Sequence, residues 1–146
     1  MRVMVIIKAN ADSEAGIMPS EKLLADMGKF NEQLVNAGIM LEGEGLHPTS
    51  KAKRIKFSGK NRIVTDGPFA ETRELIAGYW IWKVKSIDEA VEWARRIPFD
   101  DESAKSDAEV DLRPIFEVED FGPELTPELK KLEDRLRTKA AKLKEN

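Results

Sequence analysis

Apolar positions along this chain change period several times, and each change marks an element. Arg2–Lys8 (RVMVIIK) is apolar on both faces and rich in β-branched residues, which predicts an interior strand covered on two sides. Asn10–Ile17 is small and polar and reads as a loop. Ser20 is the expected N-cap of a helix, with Glu21 beside the positive end of its dipole. Leu23, Leu24, Met27, Phe30, Leu34 and Val35 follow at helical spacing, and Gly38 is the stop. Ile39–Leu46 is a short extended segment. Arg54–Ser58 and Arg62–Thr65, separated by Gly59-Lys60-Asn61, read as a half-buried hairpin that Asp66-Gly67-Pro68-Phe69 breaks sharply.

Ala77–Lys85 (AGYWIWKVK) is a further strand, with Trp80, Trp82 and Val84 on one side and Tyr79, Ile81 and Lys83 on the other. Ser86-Ile87-Asp88-Glu89 has the form of a capping box and opens a second helix, whose stripe is Ile87, Ala90, Val91, Ala94 and Ile97 and whose end is set by Pro98. Phe99–Asp107 is an acidic connection. Glu109–Val118 is a last strand, with Val110, Leu112, Phe116 and Val118 on one face and Asp111, Arg113, Ile115 and Glu117 on the other. Pro114 cannot donate to a ladder and places this strand at an edge or a bulge. Thr126-Pro127 then starts a charged helix with Leu129, Leu132, Leu136 and Leu143 in a narrow stripe, suited to docking on a folded body.

The order strand, helix, strands, helix, strand predicts an α+β fold: a ferredoxin-like split β-α-β sandwich with the helices on one face and an appended C-terminal helix. The boundaries expected are a domain over residues 1–118 and a linker and charged amphipathic helix over 119–146. A sheet with apolar strands on both faces has one face left to cover, which predicts a homodimer with two sheets packed together.

Composition narrows the chemistry. In 146 residues there are 24 Lys+Arg, 27 Asp+Glu, one His and no Cys. No thiolate nucleophile, disulfide framework or Cys-ligated metal site is available, and one histidine cannot make a His-rich cage. The net charge of −3 argues against binding nucleic acid through bulk positive charge, and no apolar run approaches a membrane span. The expectation is a cytoplasmic protein with no cofactor or metal, no nucleic-acid partner and no membrane, and with a small molecule as ligand. From Glu124 onward seven basic residues face five acidic ones, too balanced for a phosphate-binding stripe; pairs such as Glu133 with Arg137 account for most of them.

Four residues can carry chemistry. Asp66 stands where a strand ends: a carboxylate at a pocket mouth can work as acid/base, and Asp before Gly-Pro is equally the composition of a turn. His47 is the single imidazole, the side-chain type suited to acid/base work at neutral pH, and is the candidate partner for Asp66, or else a solvent-facing loop residue. Arg113 can clamp a carboxylate or phenolate in a bidentate fork, or form a cross-strand or intersubunit ion pair. Tyr79, with Trp80 and Trp82, can wall a planar ligand or serve as core and interface.

Gly43-Glu44-Gly45-Leu46-His47-Pro48, Val64-Thr65-Asp66-Gly67-Pro68-Phe69-Ala70-Glu71-Thr72-Arg73-Glu74 and Ala77-Gly78-Tyr79-Trp80 resemble the YCII-related family, in the branch named for its Asp-Gly-Pro-Phe motif. Asp88-Glu89-Ala90, Trp93-Ala94, Ile97-Pro98 and Val110–Ile115 fit the same pattern, so the resemblance covers about residues 1–118. It implies a ferredoxin-like domain that dimerises into an α/β barrel. Relatives in the wider superfamily include small-ring isomerases, cofactor-free oxygenases and a dehydrochlorinase acting on a hydroxylated aromatic; some members of the branch are associated with sigma factors of the extracytoplasmic-function type. The wider family's proposed catalytic His–Asp pair draws its histidine from near the start of the first helix, where this chain has Pro19-Ser20-Glu21-Lys22. Two functions follow as expectations. One is cofactor-independent acid/base catalysis on a small cyclic or aromatic molecule by Asp66 and His47, with Arg113 and Tyr79 holding the substrate. The other is a non-catalytic ligand- or protein-binding module with a regulatory role.

Overall fold

The computed structural model describes residues 1–71, 73–99 and 108–145, and the chain forms two compact units, Met1–Ile115 and Phe116–Asn146. In the first, β1 (Arg2–Lys8), β2 (Met40–Gly45), β5 (Ile76–Lys83) and β6 (Val110–Pro114) make one antiparallel sheet in the order β2-β5-β1-β6. Helix α2 (Glu21–Asn36) joins β1 to β2 and α3 (Ile87–Ala94) joins β5 to β6. That is the ferredoxin-like β-α-β-β-α-β order. Inserted between β2 and β5 is a separate two-stranded ribbon, β3 (Lys53–Ser58) and β4 (Asn61–Asp66).

The core lies on one face of the sheet. Val3, Val5, Trp80, Trp82 and Val84 point at Phe30 and Leu34 of α2 and Ala90 of α3, all buried. Phe30 meets both indoles edge-on, with centroids 6.0 and 6.3 Å away, and the two indoles stand 5.7 Å apart. Each indole buries roughly 150–250 Å² of apolar area, about 4–6 kcal/mol at 25 cal/mol per Å², so this aromatic trio is the largest local contribution to the fold. Trp80 Nε1 donates to Asn31 Oδ1 at 3.0 Å, whereas the Trp82 N–H is buried with no acceptor among the described residues.

Local signals explain the boundaries. Ser20 Oγ accepts from the Leu23 N–H, and Gly38, at φ 73°, takes the left-handed turn after α2. Leu24 and Val35 are exposed although they were expected in the stripe: at 100° per residue they lie 60–80° round the helix from Met27, off the line of Leu23, Met27, Phe30 and Leu34. Ser86 caps α3 as expected, while the Glu89 carboxylate reaches back to the Lys85 N–H, one residue before the cap. The expected 99–107 connection lies, from residue 100, outside the described residues.

Three expectations are corrected. Asn10–Ile17 contains a short helix, α1 (Ala11–Glu14), because Asn10 and Ser13 cap each other reciprocally. The last strand stops at Pro114 instead of Val118. It is an edge strand as its proline required, but Phe116 is exposed and Val118–Asp120 forms a single 3₁₀ turn with Asp120 accepting from the Glu117 N–H. The ribbon is exposed along its whole length instead of half-buried.

A clasp holds the base of that ribbon. The Glu14 carboxylate accepts from both the Thr49 N–H (3.2 Å) and the Thr49 hydroxyl (2.5 Å), and Thr49 Oγ1 accepts from the Phe69 N–H (3.0 Å). Gly67 donates its N–H to Ala52 at 2.9 Å, and a Cβ there would collide with the Thr49 carbonyl oxygen. The Asp-Gly-Pro-Phe turn is thus packed backbone to backbone against Thr49–Lys51. In the second unit, α4 (Pro127–Leu143) is capped by Thr126, carries the expected Glu133–Arg137 pair at 3.3 Å, and leaves Leu129, Leu132, Leu136 and Leu143 exposed.

Two stability outcomes follow. Asn31→Ala strands the buried Trp80 N–H and lowers unfolding free energy by about 1–2 kcal/mol in urea titration, with an unchanged slope. Gly67→Ala forces Thr49 and Gly67 apart, costs about 1–3 kcal/mol, and speeds amide exchange at Gly67 and Phe69 before the β1–β5 ladder opens.

Candidate functional site

Asp66 is the last residue of β4, directly opposite Lys53 of β3. Its Oδ1 lies 2.5 Å from Lys53 Nζ, and the side chain is 75% exposed. The carboxylate closes the ribbon as one half of a cross-strand ion pair. His47, two residues past the end of β2, is exposed, and its imidazole has no hydrogen-bond or ion-pair partner among the described residues. The two groups make no contact that would orient a base or share a proton, so within one chain no acid/base dyad is assembled.

Tyr79 and Arg113 fall elsewhere, and on the same surface. Register places Tyr79 between Glu44 of β2 and Ile6 of β1, with Asp111 beyond; one row along, Ile81 lies between Glu42 and Met4, with Arg113 beyond. Because paired residues share a face, this is the side of the sheet opposite the Trp80/Trp82 core. Its middle is apolar (Met4, Ile6, Ile81 and the Tyr79 ring, all half-buried) and none of these belongs to the core cluster. Glu42 and Glu44 line one margin and Asp111 and Arg113 the other. Asp111 pairs with Lys8 at 3.5 Å, while the exposed Arg113 guanidinium has no ion-pair partner among the described residues. With β1 lying between them, Tyr79 and Arg113 are roughly 10 Å or more apart.

The four candidates therefore divide among three places: Tyr79 and Arg113 on the open sheet face, Asp66 at the foot of the ribbon, and His47 in the loop after β2. The first place sets a guanidinium fork beside an apolar floor, an arrangement that can hold an anion. Among the described residues no group of three or more His, Asp or Glu side chains is placed to hold a metal, and no helix is long and apolar enough to cross a membrane. A surface hollow lies on α4 of the second unit, between Glu128, Lys131, Asp134 and Arg135, and is lined by charged side chains of that one helix.

Sequence reasoning missed two features. Glu14 and Thr49, which fix the Asp-Gly-Pro-Phe turn, have no local signature, because their bond joins residues 35 apart. The ribbon's charge was legible but averaged away: Lys51–Asp66 holds six Lys/Arg and one acid, so the remainder of the chain carries net −8 against the overall −3.

Comparison with known proteins returns the YCII-related domain over residues 1–115. The chain is also similar to an uncharacterised protein of Rhizobium meliloti, 36% identical over 75 residues, which is 51% of this chain and 60% of that relative. The chain thus spans about 60% of the length of the curated relative that it matches. The matched domain coincides with the ferredoxin-like unit and takes in both the open sheet face and the clasped ribbon; the chain belongs to the YCII-related family.

Proposed function

We propose that this chain, as a member of the Asp-Gly-Pro-Phe branch of its family, is a homodimeric binding module. Its open sheet face takes a small cyclic or aromatic molecule bearing an anionic group. The observation that carries this reading is the sharing of one half-apolar face by Tyr79 and Arg113 while Asp66 is engaged by Lys53 at the ribbon's foot. A four-stranded sheet buried on one side only leaves Met4, Ile6 and Ile81 beside solvent, and a second copy of the same sheet is self-complementary to it: each copy offers an acidic margin on β2 and Arg113 on β6. Between two such faces the ring of Tyr79 supplies a stacking surface and Arg113 an anion anchor in a space with little water.

In this reading Asp66 and His47 do not catalyse; Asp66 fixes the ribbon. Sedimentation should give a dimer, and Ile81→Glu, which puts a charge in the middle of the face, should give a folded monomer. Benzoate, as probe, should bind the wild type and bind Arg113→Gln at least about tenfold more weakly, since a charge-assisted hydrogen bond contributes about 1.5–3 kcal/mol. Asp66→Asn should bind benzoate as the wild type does. A wild-type monomer, or benzoate binding indifferent to Arg113, would sink the reading. A turnover of any cyclic or aromatic substrate abolished by Asp66→Asn in a folded protein would put acid/base catalysis in its place.

A further inference from the structure

The ribbon contributes no residue to the core of the first unit. Both of its strands are exposed throughout, and one face carries Ile55 opposite Val64 and, next to them, Phe57, 68% exposed with the Arg62 guanidinium 4.6 Å over its ring. An isolated two-stranded hairpin is marginal in water, and one that shows this much aliphatic and aromatic surface needs something to pack on. Three of its cations are already engaged, Lys53 with Asp66, Arg54 with Glu71, and Arg62 with the Phe57 ring and the Gly59 and Asn61 carbonyls, while Lys51, Lys56 and Lys60 face solvent.

We propose that the ribbon is an arm that packs its Ile55–Phe57–Val64 face onto a second copy of this chain, over the margin of the open sheet that carries Glu42 and Glu44. The inference rests on the homodimer reading above and adds the element that completes the interface. Area points the same way. A sheet of four strands five to eight residues long has a footprint of roughly 20 Å by 22 Å, short of the ~800 Å² per partner that a stable interface buries. A ribbon of six-residue strands adds roughly half as much again on each copy. Charge selects the occupant: the arm carries net +5 and the remainder of the same chain net −8, so two copies that repel as wholes attract arm to body. A nucleic acid would meet the cations but leave the Ile55–Phe57–Val64 surface uncovered.

The test compares dimer dissociation constants by sedimentation for the full-length wild type, Phe57→Glu, the charge reversal Lys56→Glu/Lys60→Glu, and Ile81→Glu. The arm predicts that Phe57→Glu weakens the dimer at least about thirtyfold, as loss of a buried aromatic anchor does. It predicts that the double reversal weakens it too, and that salt weakens the wild type more than the double reversal. Because both arm positions are exposed, each variant should keep the wild-type circular dichroism, and the double reversal tests the arm without touching its apolar face. If Ile81→Glu is monomeric while both arm variants dimerise as the wild type, the sheet-face reading stands and the arm falls. If the wild type is monomeric, both fall. Binding of a mixed-sequence DNA duplex that is lost in the double reversal, with dimerisation unaltered by Phe57→Glu, would also overturn the arm and make the ribbon a nucleic-acid contact.

Discussion

A β-sheet has two faces, and this chain has only enough helix between its strands to cover one. Everything else in the first unit depends on that inequality. Helices α2 and α3 both cross to the side of Trp80 and Trp82, because a strand–helix–strand connection returns to the sheet on a single side when the strands pair in this order. The aromatic trio of Phe30, Trp80 and Trp82 then fixes where α2 lies, and one hydrogen bond from Trp80 to Asn31 fixes its rotation. The other face keeps what is left: Met4, Ile6, Tyr79 and Ile81, flanked by charge.

The same inequality separates the residues that hold the insertion from those that border the open face. Of the two groups that look catalytic in a linear reading, Asp66 lies in the ion pair at the foot of the insertion between β2 and β5, and His47 stands apart from it. Asp66 neutralises Lys53, Glu14 takes both donors of Thr49, and the Asp-Gly-Pro-Phe turn is pressed so closely to the Thr49 carbonyl that only glycine fits at residue 67. A carboxylate already committed to a lysine is a weak candidate for proton transfer, and an arginine with no such commitment at the border of an apolar patch is a good candidate for recognition. That contrast, more than any motif, is why binding at Tyr79 and Arg113 is the favoured reading.

Much of this was legible in the sequence, for identifiable reasons. Strand and helix order followed from period and caps: Ser20, Ser86 and Thr126 cap the helices they were expected to start, and Pro114 lies in an edge strand. The alternation of β5 gave the direction of Trp80, Trp82 and Val84. What period could not give was how deeply an element is buried. Ile55 and Phe57 alternate with charge as a half-covered strand does, yet no other described element covers them, because alternation reports two chemically different faces and not a neighbour on either one. Asn10–Ser13 was lost for the opposite reason: a reciprocal cap is so local that it makes one turn of helix in a segment with no apolar period at all.

Why a YCII-related chain should place an exposed, cationic ribbon between β2 and β5 follows from the same argument about faces. Insertion at that point lengthens the connection between two neighbouring strands without disturbing either ladder, so the sheet tolerates it at little energetic cost. The clasp through Thr49 then anchors both ends of the insertion and leaves its middle exposed. An insertion selected only for tolerance would be polar on both sides; this one has a continuous apolar face and concentrates a quarter of the chain's basic residues in sixteen positions. Uncovered apolar surface on the sheet and uncovered apolar surface on the ribbon, with opposite charge at their margins, are two halves of one unmet requirement, and the dimer proposed above is the arrangement in which a second copy of the chain would supply both at once.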